Sequence, residues 1–161
     1  MGPLAALPSD DRGMYRRARL MLSPASQSVP RRSAAEAIRD LIKGEAQEVV
    51  IVAALDESGV RNVVEVARGD YHRVRLPLPA MLAVPLLAGT GWFVIAHNHP
   101  SGRLIPSQHD YDLTKSVINV ANACGLILHD HLIFGPAGQY LSLRAAHVLE
   151  VPDPVDLELQ A

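Results

Sequence analysis

A chain of 161 residues, 48% of them hydrophobic and 20% charged, is long enough for one globular domain with a substantial apolar core. The formal net charge of −2 is not the strong basic excess expected of a nucleic-acid-binding protein. No apolar run reaches the roughly 18 residues of a membrane span, residues 1–20 lack a signal-peptide core, and a single cysteine, Cys124, excludes an intrachain disulfide. We therefore expect a cytoplasmic protein without a membrane partner.

The N-terminal residues 1–32 are rich in Pro, Ser and Arg and are predicted to form a partly ordered extension of the domain. Within them, residues 14–22 (MYRRARLML) would alternatively form a basic amphipathic helix, although the segment is short for a membrane or nucleic-acid contact. The first helix of the domain is predicted to begin at Ser33, which has capping-box spacing to Glu36, and to end at Gly44.

Two strands are predicted to follow as a hairpin. Residues 48–56 (EVVIVAALD) form an apolar run, residues 57–59 provide a turn, and residues 61–67 (RNVVEVA) have the composition of a second strand. Glu48 stands at the start of the first strand, where a glutamate is ordinarily a solvated end residue. By itself this position carries no functional signal.

The middle of the chain predicts a helix and a buried strand. Residues 79–88 are mostly apolar, and Pro79 suits the first turn of a helix. Pro85 falls inside the same pattern and should kink or shorten that helix. After a turn at residues 89–91, the run WFVIA at residues 92–96 is typical of a strand buried on both faces.

Two histidines separated by one residue, His97 and His99, end this strand. Side chains at i and i+2 of an extended chain point to the same side, so both imidazoles can reach one ion. Ser107 is a good helix N-cap, and Asp110 falls in the first turn of the helix that it would start. Two imidazoles and one carboxylate are the protein ligands expected of a catalytic zinc. Capping-box spacing and the helix dipole are an alternative explanation for the serine and the aspartate, but they do not account for the whole spacing from His97 to Asp110.

The helix after Ser107 is predicted to end at Gly125 and to bury one apolar face. That face consists of Leu113, Val117, Val120, Ala121 and Cys124. Cys124 is therefore expected to be a buried and inert thiol. Residues 126–134 (LILHDHLIF) and 139–143 are predicted to form the last two strands.

A second pair, His129 and His131, lies in the first of these two strands and competes with the first pair as a metal site. The residue between them, Asp130, points to the opposite face of the strand. The second pair therefore lacks a nearby carboxylate with a suitable direction.

The pattern HNHPSG followed by PS-x-x-D, over residues 97–110, resembles the RadC-like branch of the JAB/MPN domains. Active members of that family carry the JAMM metalloprotease motif, which is an upstream Glu, His-x-His, about seven residues, Ser, two residues and Asp. The resemblance covers residues 33–146 and implies an α/β fold of the cytidine-deaminase-like type, a curved mixed sheet flanked by helices. The domain is accordingly placed at residues 33–147, with a loose C-terminal tail at residues 148–161.

The resemblance also assigns roles to individual residues. It implies a Zn²⁺ cofactor held by His97, His99 and Asp110. Ser107 would donate a hydrogen bond to the oxyanion of the tetrahedral intermediate, or would serve only as the helix N-cap.

The catalytic base implied by the resemblance is Glu48, which stands eight residues before Asp56 and matches the family's Glu and Leu-Asp pair. Glu45 is the reserve candidate, although it still lies in the turn. Asp130 and His131 match the Asp-His pair that RadC-like sequences place in this strand, and this match favours a supporting role over a ligand role.

The loop between the histidines and the aspartate departs from the common RadC-like pattern. Residues 103–105 (RLI) replace Asp-Pro-Thr, and His109 replaces an acidic residue. None of these positions is a ligand, so the expectation of metal binding is unchanged. The altered charge beside the cleft is expected to change the substrate preference.

The sequence thus predicts a zinc-dependent metallopeptidase or isopeptidase that acts on a peptide or a protein conjugate. One alternative is a DNA-repair-associated RadC-like protein, against which we count the net charge of −2 and the lack of the helix-hairpin-helix region that longer RadC proteins carry. Another is a non-catalytic MPN interaction module that uses zinc only for structure, against which we count the intact motif. Exposed edge strands would allow a homodimer.

Overall fold

The computed structural model of the chain describes residues 21–22, 33–69 and 77–146, and these form a mixed sheet with helices on both faces. The strands are β1 (Met21–Leu22), β2 (Val49–Asp56), β3 (Gly59–Arg68), β4 (Trp92–Asn98), β5 (Ile127–Phe134) and β6 (Tyr140–Ser142). The helices are α1 (Ala34–Ile42), α2 (Leu78–Ala88) and α3 (Gln108–Ala123). The six strands lie in the order β1-β3-β2-β4-β5-β6, and β4 and β5 are the parallel pair among antiparallel neighbours. The expected α/β class with a mixed sheet is confirmed.

The central strands β2 and β4 are buried on both faces, which explains their continuous apolar sequences. In β2, Val50 and Val52 pack into a core with α2 and α3, while Val49 and Ile51 pack into a second core with α1. β4 alternates in the same way, and its odd-numbered residues face α2 and α3. This alternation decides which side of the sheet the histidines at the end of β4 will face.

Helix α1 begins as predicted, with a complete capping box at Ser33. Its hydroxyl oxygen accepts a hydrogen bond from the backbone N–H of Glu36, and the Glu36 carboxylate accepts one from the backbone N–H of Ser33 at 2.9 Å. The last helical residue is Ile42, and Gly44 adopts φ 77° just beyond it, a conformation that favours glycine. The sequence therefore located both ends of this helix to within two residues.

Helix α2 runs through Pro85 to Ala88, so of the two expected effects of this proline, a kink or a shortened helix, the shortening is wrong. A proline inside a helix costs about 3 kcal/mol. Burial of Met81, Leu82 and Val84, at roughly 1.5–3 kcal/mol each, outweighs that cost. No helix among the described residues combines the length and the apolar character needed to cross a bilayer.

The structure also corrects the alternative of a helix at residues 14–22 and the expectation that Cys124 is buried. Met21 and Leu22 form strand β1 beside β3 and are not helical; the rest of residues 1–32 lies outside the described part, as does the predicted tail at 148–161. Cys124 is exposed, and Val120 is 39% exposed. The buried face of α3 is centred on Val117 and Ala121, so both residues lie at its margin, and Cys124 is the C-cap of the helix.

Candidate metal centre

The end of β4 and the start of α3 together form a buried cluster of two imidazoles and one carboxylate. His97 is in β4, and His99 continues the extended chain because its backbone N–H donates to the carbonyl of Phe134 on β5 at 2.8 Å. Helix α3 begins after its N-cap Ser107, which places Asp110 at the third helical position. The loop between strand and helix, residues 99–107, thus returns the chain to the histidines.

The three side chains that were predicted as metal ligands lie within reach of one ion. His97 Nε2 lies 3.1 Å from Asp110 Oδ1, His99 Nε2 lies 3.5 Å from Asp110 Oδ2, and the two Nε2 atoms are 3.0 Å apart. One ligand atom from each residue falls within a span of 4.8 Å. All three residues are buried, with exposed fractions of 1%, 9% and 0% for His97, His99 and Asp110.

The electrostatics of the cluster favour an ionised carboxylate beside the two imidazoles. Burial alone would raise the pKa of Asp110, but hydrogen bonds donated by Nε2 of His97 and His99 in their protonated, imidazolium form hold it well below its usual value. Burial lowers the pKa of His97, whereas the hydrogen bond to Asp110 raises the pKa of His99. Two nitrogen donors and one anionic oxygen donor in a buried cluster suit a divalent ion such as Zn²⁺.

Ser107 is bonded to the carboxylate at two points. Its hydroxyl accepts a hydrogen bond from the backbone N–H of Asp110 at 3.2 Å and donates to Asp110 Oδ2 at 2.7 Å. The backbone N–H of Ser107 donates to the same Oδ2 at 2.7 Å. The capping box therefore orients the carboxylate toward the histidines.

Of the two glutamates considered as a base, Glu48 lies on the histidine side. Val50 pairs with His97 in the β2–β4 register, and that register, continued by two residues, sets Glu48 opposite His99 on the same face of the sheet. Its negative charge makes a smaller contribution that raises the pKa of both histidines. Glu45 instead forms an ion pair with Arg68, with 2.5 Å between Oε2 and the guanidinium, and the bond to Arg68 lowers its pKa.

The two residues expected to support the site occupy opposite faces of β5. His131 is buried beside the cluster, with Nε2 2.9 Å from His97 Nδ1. Asp130 faces away and braces the chain after β6, because its carboxylate accepts hydrogen bonds from Ser142 Oγ at 2.6 Å and from the backbone N–H of Arg144 at 3.0 Å. His131 contacts the cluster directly, whereas Asp130 holds β6 and the residues after it against β5.

Asn98, which the sequence interpretation left without a role, fixes the segment that carries Glu48. Its side-chain oxygen accepts a hydrogen bond from the backbone N–H of Val49 at 2.7 Å, and its amide donates to the carbonyls of Gln47 at 2.9 Å and Glu45 at 3.3 Å. The alternation of side chains along the strand could have predicted this direction, because a residue between two histidines that share one face must point toward the other face.

Replacing Asn98 by aspartate is expected to destabilise the metal-free protein by about 1–3 kcal/mol. The carboxylate would keep the bond from Val49 but would lose both donated bonds and place a negative charge beside two carbonyl oxygens. Thermal unfolding should report a fall in Tm of about 2–4 °C per kcal/mol. Asn119→Asp makes the same chemical change on the exposed face of α3 and should leave Tm nearly unchanged. Equal falls in Tm for the two variants would contradict the role of Asn98 in fixing the segment that carries Glu48.

Comparison with known proteins matches the chain to one family model and to relatives that share one description. Residues 29–148 match the family model described as RadC-like JAB domain. A UPF0758 protein of Porphyromonas gingivalis is 34% identical over 127 residues, which are 73% of this chain and 55% of that protein. A UPF0758 protein of Rhodobacter capsulatus is 39% identical over 85 residues, which are 53% of this chain and 39% of that protein.

A third relative, a UPF0758 protein of Latilactobacillus sakei, is 50% identical over 52 residues, or 32% of this chain and 23% of that protein. The chain thus spans between about a quarter and about half of the length of these curated relatives. The match with the family model, over residues 29–148, includes the three residues that build the buried cluster.

Proposed function

The chain belongs to the RadC-like JAB domain family, and from that premise we propose that it is a zinc-dependent metallopeptidase or isopeptidase. The observation that carries the proposal is the convergence of His97, His99 and Asp110 within 4.8 Å in a buried cluster. Glu48 lies on the same face of the sheet, beside this cluster. The substrate would be a peptide or a protein conjugate joined through an isopeptide bond.

In this proposal, His97, His99 and Asp110 would hold the zinc ion, which lowers the pKa of a bound water to about 7. A carboxylate oxygen of Glu48 accepts the proton of the attacking water as the water oxygen bonds to the substrate carbonyl carbon. When the carbon–nitrogen bond breaks, the same carboxyl returns that proton to the departing amine. Glu48 thus acts first as general base and then as general acid.

Ser107 is proposed to donate a hydrogen bond to the oxyanion that forms on the substrate. Its single hydroxyl proton is directed at Asp110 Oδ2 in the structure, so this role requires the hydroxyl to turn. The bond that caps the helix is compatible with that rotation, because there the hydroxyl oxygen accepts from the backbone N–H of Asp110. One such oxyanion donor is typically worth about 10²–10³ in rate.

The test is zinc-dependent hydrolysis by the purified full chain. Protein reconstituted with zinc would be incubated with a peptide library and with lysine-linked peptide conjugates, and the products would be identified by mass spectrometry. We expect cleavage that a chelator abolishes and added zinc restores. Metal-loaded protein that cleaves neither class of bond, or cleavage unaffected by chelation, would overturn the proposal.

Acidification is expected to release the metal. A proton competes with the ion for Nε2 of each histidine. Because the bond to Asp110 raises the pKa of His99, this competition should begin above the ordinary histidine value of about 6.5. Titration against a chromophoric chelator should show zinc affinity falling as the pH drops from about 7.5 to about 5.5, and recovering when the pH is raised again. An affinity that does not change over this range would contradict histidine ligation.

A further inference from the structure

We infer that Thr114 and His131 form a relay that fixes the tautomer of His97, keeping its proton on Nδ1 and its lone pair on Nε2. The relay runs from the backbone carbonyl of Asp110 through the Thr114 hydroxyl and the His131 ring to His97. Thr114 and His131 would therefore be positioning residues for the metal centre. The inference deepens the proposed function, and it rests on that function only for its metal-binding consequence.

The hydrogen bonds of Thr114 determine which atom donates and which accepts at each step of the relay. Thr114 Oγ1 lies 2.6 Å from the carbonyl oxygen of Asp110, one turn earlier in α3, and 2.6 Å from His131 Nδ1. A carbonyl oxygen can only accept a hydrogen bond, so the single hydroxyl proton of Thr114 must point at Asp110. The threonine oxygen is then an acceptor, and His131 Nδ1 must carry the proton that it receives.

The second step passes through His131. A neutral imidazole that is protonated on Nδ1 has a lone pair on Nε2, and this atom lies 2.9 Å from His97 Nδ1. His97 Nδ1 must therefore be the donor. Thr114, His131 and His97 are 5%, 1% and 1% exposed, so bulk water has little access to replace any of these bonds.

The result of the relay is the orientation that a metal ligand needs. With its proton on Nδ1, His97 presents the lone pair of Nε2 to Asp110 Oδ1 and His99 Nε2. His99 reaches the same tautomer through a different partner, because its Nδ1 lies 2.6 Å from the carbonyl oxygen of Arg103. Three acceptor atoms then face one another, an arrangement that a cation stabilises.

The first experiment is long-range ¹H–¹⁵N correlation of the imidazole rings in the metal-free, ¹⁵N-labelled protein at alkaline pH, where the histidines are neutral. We expect His97, His99 and His131 each to carry the proton on Nδ1. A proton on Nε2 of His97 in the wild-type protein would overturn the inference. This measurement needs neither a variant nor a substrate.

The second experiment removes the start of the relay with Thr114→Val, which replaces the hydroxyl by a methyl group of similar size. Nδ1 of His131 loses its acceptor, so we expect its proton to move to Nε2 and the His97 proton to move from Nδ1 to Nε2. Zinc affinity should fall about 10–100-fold. Thr114→Ser keeps the hydroxyl and should restore both the tautomers and the affinity.

Unchanged tautomers and unchanged zinc affinity in a folded Thr114→Val protein would also overturn the inference. The outcome is separable from that of the proposed function. If the histidines have the expected tautomers but no peptide or isopeptide bond is cleaved, the relay is supported and the proposed peptidase function is overturned. Hydrolysis by a protein whose His97 proton lies on Nε2 would support the proposed function and overturn the relay.

Discussion

Glu48→Gln is expected to lower the rate of hydrolysis by about 10²–10⁴-fold while zinc remains bound. Glutamine matches glutamate in size but cannot accept a proton from water at neutral pH, so the variant removes general base and general acid catalysis together. Glu48 contributes no ligand atom to the cluster of His97, His99 and Asp110, and the stoichiometry of bound zinc should therefore be unchanged. Elemental analysis and the peptide assay on the same preparation measure the two quantities.

Glu45→Gln is the matched control, because it makes the same change three residues earlier in the chain. Glu45 is held by Arg68 and should affect the rate only slightly. Full activity in Glu48→Gln together with a large loss in Glu45→Gln would transfer the role of base to Glu45. Full activity in both variants would exclude general base catalysis by either residue.

Asp110→Ala is expected to abolish stoichiometric zinc binding, from about one ion per chain in the wild type to none. Losing a direct ligand should cost more than the 10–100-fold in affinity that is typical of losing an outer partner. The variant also removes the two hydrogen bonds that the Asp110 carboxylate accepts from Ser107, worth about 0.5–1.5 kcal/mol each, while the bond from the backbone N–H of residue 110 to the Ser107 hydroxyl remains. Elemental analysis of tag-free protein, after reconstitution at neutral pH, provides the measurement.

Two further variants separate ligation from stability in this experiment. Asp110→Asn retains an oxygen that can accept the bonds from Ser107 but lacks the negative charge, so it should stay folded and still bind zinc poorly. Asp112→Ala removes an exposed carboxylate from the same helix, one whose side chain accepts a bond from Gln108, and should bind zinc normally. Stoichiometric zinc in Asp110→Ala would remove this residue from the ligand set. A wild-type protein that binds no zinc would favour an interaction module over an enzyme.

Local rules were sufficient to predict the geometry of the central cluster. The period of a strand sets His97 and His99 on one side, and capping-box spacing from Ser107 sets Asp110 in the first turn of a helix. Each of these inferences depends on neighbours within a few residues in the chain. The family resemblance supplied Glu48, which local rules alone had classed as a solvated end residue.

Contacts between distant segments could not be predicted in this way. The bond of Thr114 to His131 joins residues 17 apart, and the bond of Asn98 to Val49 joins residues 49 apart. Both depend on how α3 and β2 lie against their neighbours. The burial of Cys124 was predicted wrongly because helical spacing does not by itself locate the centre of the buried face of α3, which is at Val117 and Ala121, and Cys124 lies at the margin of that face.

Three consecutive residues at the end of β4 alternate between the two faces of the sheet. His97 and His99 face the buried cluster on one side, and Asn98 binds the segment that carries Glu48 on the other. Removing or inserting one residue within β4 would move each side chain to the opposite face. Both imidazoles would then face α1, and the asparagine would face the aspartate, so a single-codon deletion would eliminate the metal centre and release the Glu48 segment together. Length variation among natural descendants of this chain should accordingly be absent from β4.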